Sequence, residues 1–133
     1  MIIETTHGKH LSTAAEEKLV GKNHPLLRVL FSRMRSNPYQ IIATNLPISF
    51  DAEIRSQLDF ARVILKTKGI IVRIKIKVKT YDWFIPFYHL ALYQTENNLT
   101  IHAQGFFLRF YELNDDHYRF WKKMMSCKNE VLN

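Results

Sequence analysis

The sequence predicts a single α+β domain in which helices pack on an antiparallel sheet of about four strands. Three observations lead there. The 133 residues suffice for one hydrophobic core and leave little room for a second domain. Apolar residues recur at helical spacing in some segments and alternate strictly in others. Nine Phe and six Tyr stand against four Gly and four Pro, a balance that favours long regular elements over a disordered chain.

The expected order is helix, helix, strand, helix, three strands, helix, within one domain spanning 1–133. Thr13 to Glu16 has the spacing of a capping box, so a short helix should run from there to Gly21. Asn23-His24-Pro25 restarts a helix, with Pro25 suited to its first position and Leu27, Leu30, Phe31 and Met34 as its apolar stripe. Asn37-Pro38 stops it. Tyr39 to Asn45 reads as a strand ending before Pro47.

A third helix is expected from Asp51 to Lys68. Its acids Asp51 and Glu53 and its bases Lys66 and Lys68 suit the two ends of the dipole. Ile54, Leu58, Ala61 and Leu65 would form its buried face, and Gly69 its stop.

From Ile70 the period changes to two. Val72, Ile74, Ile76 and Val78 should face the core, and Arg73, Lys75, Lys77 and Lys79 the solvent. A strand over about Phe84 to Gln94 is apolar on both sides and therefore central. Glu96-Asn97-Asn98 turns the chain into a strand over Leu99 to Tyr111, with a bulge at Gly105. That bulge would place Ile101, Ala103, Phe106, Leu108 and Phe110 together on the core face. Asn114 caps the last helix, whose packing stripe is Tyr118, Trp121, Met124 and Met125.

The formal charge of +7 comes from 19 Lys and Arg against 12 Asp and Glu. Seven of those bases lie between Arg62 and Lys79 with no acid among them, so this stretch alone carries the excess. Such a field attracts phosphate backbones or acidic surfaces. Cations alternating along one strand stand about 7 Å apart, a spacing able to track a phosphate chain. Arg109, Phe107 and Tyr111 would add a base and rings if their side of the sheet coincides with the lysines. Bases with exposed rings suit single-stranded nucleic acid, because every base has a face to stack. Lysines on an edge strand also serve a plainer end, the prevention of edge-to-edge aggregation.

Chemistry is less strongly marked. The six histidines form no zinc-finger or zincin pattern, and there is no Gly-rich phosphate loop or nucleophile elbow. His89 and His102, on neighbouring strands, could join Asp82 or Asp116 as metal ligands or as acid and base. The apolar setting of His89, between Tyr88 and Leu90, points instead to a packed core residue. The lone Cys127, near Lys122, Lys123 and Lys128, has no activating histidine pattern and reads as an ordinary late-helix residue in a reducing compartment. With no signal-like start and no run of about 18 apolar residues, a cytoplasmic location without membrane partners is expected.

Phe87-Tyr88-His89-Leu90-Ala91-Leu92 resembles a degraded His-hydrophobic-His motif of HUH-type rolling-circle replication initiators, including the filamentous-phage-type replication proteins. The expected element order from Pro25 to Gln94, about half the chain, is similar to theirs. In that family two histidines hold a divalent metal at the scissile phosphate, and a helix tyrosine attacks it and becomes linked to the DNA. Here Phe87 stands at the first histidine position, only His89 matches, and Tyr118 is the candidate for the nucleophile. The resemblance therefore implies weakened metal binding, lost nicking and a retained DNA-binding fold acting as a regulator or competitor.

Together these readings anticipate a noncatalytic protein without cofactor or metal that binds DNA or RNA, single strands favoured. Its contacts would be Arg73, Lys75, Lys77, Lys79, Lys66, Lys68, Arg109, Phe107 and Tyr111. The alternatives are a phage- or plasmid-related regulator docking on an acidic protein, and a small nuclease using His89, His102 and Tyr118.

Overall fold

Alternation of apolar residues builds a broad sheet with two unequal faces. The computed structural model describes residues 1–25, 34–48, 59–95, 98–111 and 115–132. Its strands are β1 (Ile2–Glu4), β2 (Tyr39–Thr44), β3 (Phe60–Leu65), β4 (Gly69–Ile76), β5 (Lys79–Pro86), β6 (Ala91–Gln94), β7 (Asn98–Ala103) and β8 (Phe106–Tyr111). The helices among the described residues are α1 (Thr13–Val20) and α2 (Asp115–Leu132), and a 3-10 turn spans Phe87–His89. The eight strands form one antiparallel sheet in the order β1-β5-β4-β3-β2-β8-β7-β6.

The inner face carries the main core. Ala61, Val63 and Leu65 of β3, Ile70, Val72, Ile74 and Ile76 of β4, and Tyr81, Trp83 and Ile85 of β5 all point to it. Leu99, Ile101, Ala103, Leu108 and Phe110 continue it across β7 and β8. Helix α2 covers this face with Phe120, Trp121, Met124 and Cys127. Tyr39 fastens the two layers: its hydroxyl donates to the His117 carbonyl at 3.1 Å, and the His117 ring donates through Nε2 to the Pro38 carbonyl at 2.9 Å. Burial drives the Tyr39 phenol well above its ordinary range.

Helix α1 covers one side of the outer face. Val20 packs there on Ile71 and Phe84, with Ile3, Leu11, Leu19 and Ile64 around them. Ser12 caps α1, accepting from the Ala15 amide at 3.2 Å, one residue before the expected Thr13. Gly21 ends it with φ of 83°, and the Lys68 amide donates to the Val20 carbonyl at 2.8 Å.

Several expectations are corrected. The sheet has eight strands, not about four, and the element order differs. Residues 60–65 of the expected third helix are strand: Ala61, Val63 and Leu65 satisfy a period of two as well as helical spacing, and β-branched Val63 and Ile64 favour the sheet. Residues 49–58, including Ile54 and Leu58, lie outside the described residues, as do 26–33 of the second helix. Where that helix was to end, Arg35 instead forms a bridge with Ile64. Pro86 divides the expected Phe84–Gln94 strand, since it cannot donate to a ladder, and the 3-10 turn follows it. Gln104 and Gly105, at φ of 55° and 85°, make a two-residue hairpin turn rather than a bulge. The five residues expected on the core face nevertheless share it. In α2, Tyr118 is half-buried and Met125 is 42 % exposed, and buried His117, Phe120 and Cys127 complete the stripe with Trp121 and Met124. Glu96, Asn97 and Asn114 lie outside the described residues.

Candidate functional site

The expected lysine row is cut short by a turn. Strand β4 ends at Ile76, and Lys77 and Val78 form the tip of a hairpin in which Ile76 pairs with Lys79. Paired residues of antiparallel strands share a face, so Lys79 belongs to the inner side with Tyr81, opposite to Arg73 and Lys75. Val78, expected in the core, is 83 % exposed. Four cations projecting together from one strand are therefore not what the fold presents.

Two further expected contacts are tied up within the protein. Arg73 makes a two-pronged pair with Asp82, Nε to Oδ1 at 3.0 Å and Nη2 to Oδ2 at 3.2 Å. The hydrogen bond to Asp82 raises the guanidinium's pKa against the effect of its partial burial. Lys66 is 9 % exposed and sits between Glu16, at 3.3 Å, and the Asn23 side chain. Lys68 remains exposed in the β3–β4 turn, and Lys75 on the outer face.

The rings and the base of β8 assemble more favourably. Register through β3, β2 and β8 places Phe107, Arg109 and Tyr111 on the same outer face as Arg62, Arg73 and Lys75. On that face Thr100 lies opposite Arg109 and beside Tyr93, and His102 lies opposite Phe107. The side chains touch: Tyr93 meets His102 edge-on with ring centroids 5.1 Å apart. His102 tilts against Phe107 at 5.8 Å, and the Arg109 guanidinium carbon lies 5.3 Å from the Phe107 ring centre. Tyr93 is 55 % exposed, and the other three are half-buried.

This cluster is held from behind. The Phe107 amide donates to Asn45 Oδ1 at 2.7 Å, and its carbonyl accepts from the Thr44 hydroxyl at 2.6 Å. Asn45 Nδ2 also donates to the Gly105 carbonyl at 3.1 Å. Strand β2 thus fixes the β7–β8 hairpin, and the rings stand on a rigid support. Tyr93, Thr44 and Asn45 were missed in the sequence reading. Tyr93 was hidden inside an overlong strand, and the other two carry no spacing signal.

The residues considered for catalysis do not converge. His89 is exposed in the 3-10 turn, its ring tilted against Tyr88 with centroids 4.3 Å apart, which corrects its expected place in the core. His102 lies on the outer face, whereas Tyr118 rides on α2 over the inner face, beneath the Lys122 ammonium at 4.6 Å. Asp82 is taken by Arg73, and Asp116 lies 3.7 Å from Arg119. Among the described residues no group of three or more His, Cys, Asp or Glu side chains is placed to hold a metal ion. Cys127 is buried in the core, consistent with a packing residue. No helix among the described residues is long and apolar enough to cross a membrane. No family model, curated protein or solved structure matches the chain.

Proposed function

We propose that the protein binds single-stranded nucleic acid across the outer face of its sheet. The observation that carries this reading is the contact cluster of Tyr93, His102, Phe107 and Arg109, three rings and a guanidinium side by side on one sheet face. Bases would stack on Tyr93 and Phe107, and phosphates would meet Arg109. Arg62 and Lys75, on the same face, extend the cationic surface toward β4. Neighbouring strands stand about 4.8 Å apart, so the path from β8 to β4 is about 14 Å, the length of several nucleotides. The strand of nucleic acid would thus run across the β-strands rather than along one of them.

Together with the resemblance to HUH-type initiators, the reading gives a binder that does not cut, acting as a regulator of a replication enzyme. In this reading His89, His102 and Tyr118, which lie on separate elements, share no catalytic task.

The test is fluorescence-anisotropy titration of a labelled 20-nucleotide DNA with wild type and with Tyr93→Ala/Phe107→Ala. Loss of base stacking at two rings should weaken binding at least tenfold, since each stacked base contributes about 1–3 kcal/mol. Equal affinities would remove the outer face from consideration. Absence of binding by the wild type, with an acidic protein recovered instead, would replace the nucleic acid with that partner.

A further inference from the structure

The tip of the β4–β5 hairpin plays no part in the ring cluster, and its two central residues are Lys77 and Val78. Val78 is the most exposed large apolar side chain among the described residues, at 83 %. Lys77 holds φ of 55°, a conformation that favours Gly, and its amide donates to Asp59 Oδ1 at 3.1 Å. Asp59 itself is buried, so its carboxylate secures the turn without masking the outward lysines. Lys75, Lys77 and Lys79 are all exposed.

The sides on which these cations stand identify the partner. Lys75 projects from the outer face and Lys79 from the inner one, with Lys77 and Val78 between them at the apex. A flat anionic surface would meet a single face. A ribbon with cations on both faces and an apolar point suits a cleft whose two walls are negative, which is the form of a nucleic-acid groove. Pairing with β3 ends at Lys75, and on the other side the Thr5 amide reaches only as far as the Thr80 carbonyl. Lys77, Val78 and Lys79 are exposed while Ile76 before them is buried in the core, so these three residues make up the outward tip. The major groove of B-DNA, about 12 Å wide and about 8.5 Å deep, admits a two-stranded ribbon, whereas the minor groove, about 6 Å wide, does not.

We infer that this tip is a second contact site that enters the major groove of duplex DNA. Lys75 and Lys79 reach the two flanking backbones, and Val78 meets the groove floor, where thymine presents its methyl group. The inference rests on the nucleic-acid reading above and shares only Lys75 with it; the variant below leaves Lys75 in place, so the two can fail separately.

The experiment compares wild type with Lys77→Gly/Val78→Ser/Lys79→Ala. The four probes are a 20-base-pair DNA duplex, the RNA duplex of the same sequence, a 20-nucleotide single-stranded DNA, and phosphatidylserine-containing vesicles. Glycine at position 77 relieves the turn, so the variant should fold. It should lose roughly tenfold or more in duplex-DNA affinity and about 0.9 in the slope of log affinity against log salt, the share of the Lys79 contact, while single-strand binding is unchanged. Duplex RNA, whose major groove is too narrow for side chains, should bind weakly to both proteins. Unchanged duplex affinity in the variant overturns the inference. Wild-type binding to vesicles but not to duplex DNA also overturns it. Absence of binding to duplex and single strand alike would overturn both readings.

Discussion

The two halves of the sheet's outer face use their cations differently: among the described residues, Arg62, Arg73 and Lys75 stand on the first half and Arg109 alone on the second. On β3, β4 and β5, α1 covers Ile71 and Phe84, Asp82 holds Arg73, and Glu16 holds Lys66. On β6, β7 and β8, Arg109 lies over Phe107, and Tyr93 opens to solvent beside His102. Two cations of the first half are held by carboxylates, whereas Arg109 of the second lies against a ring. Counting charge along the chain therefore located the cations but not what each of them contacts. A cation informs about function only once its carboxylate partners are known.

The largest expected effect lies in the first half. Phe84→Ala should cost about 3–5 kcal/mol of stability, because it opens a void beneath α1. Chemical denaturation should show that loss while single-strand affinity, measured where the variant is folded, stays as in wild type. Asp82→Asn comes next and sharpens the contrast. It removes the charge holding Arg73, which should cost about 1 kcal/mol given the half-exposed guanidinium. The same change should strengthen single-strand binding, since Arg73 shares the outer face and becomes available to a phosphate.

Tyr39→Phe concerns the inner face, which both halves share, and should cost about 1 kcal/mol through loss of the bond to the His117 carbonyl. Because folding raises the pKa of this phenol, the neutral form is favoured in the native state. Its contribution should be complete below the unfolded value of about 10 and decline as pH rises above it. Denaturation midpoints across that range should fall for wild type and fall less for Tyr39→Phe. The ring cluster should be indifferent to this substitution.

The fold was legible wherever one period prevailed. The alternation from Ile70 to Ile76, the strand at Tyr39 and the helices at both ends follow from local pattern. The sheet grew from about four strands to eight because three signals compete. Residues 60–65 fit helix and strand periods alike. Pro86 lay inside an apolar run whose continuity outweighed it. Gln104-Gly105 is a hairpin turn that reads as a bulge when the flanking strands are taken as one. Strand β1 was missed because Ile2–Glu4 is too short to show a period, and pairing with β5 supplies what propensity does not. For the site, the face shared by Phe107, Arg109 and Tyr111 was legible from alternation. The neutralisation of Arg73 by Asp82 was not, because it depends on the hairpin register that also sends Lys79 to the inner side.

The most direct test sets Arg109→Ala against Arg73→Ala in salt titrations of single-stranded DNA binding. Arg109→Ala should weaken binding and lower the slope of log affinity against log salt by about 0.7, the share of one phosphate contact on a single strand. Arg73→Ala, which removes a cation already held by Asp82, should leave that slope unchanged. A reduced slope for Arg73→Ala with an unchanged one for Arg109→Ala would contradict the division of labour between the two halves.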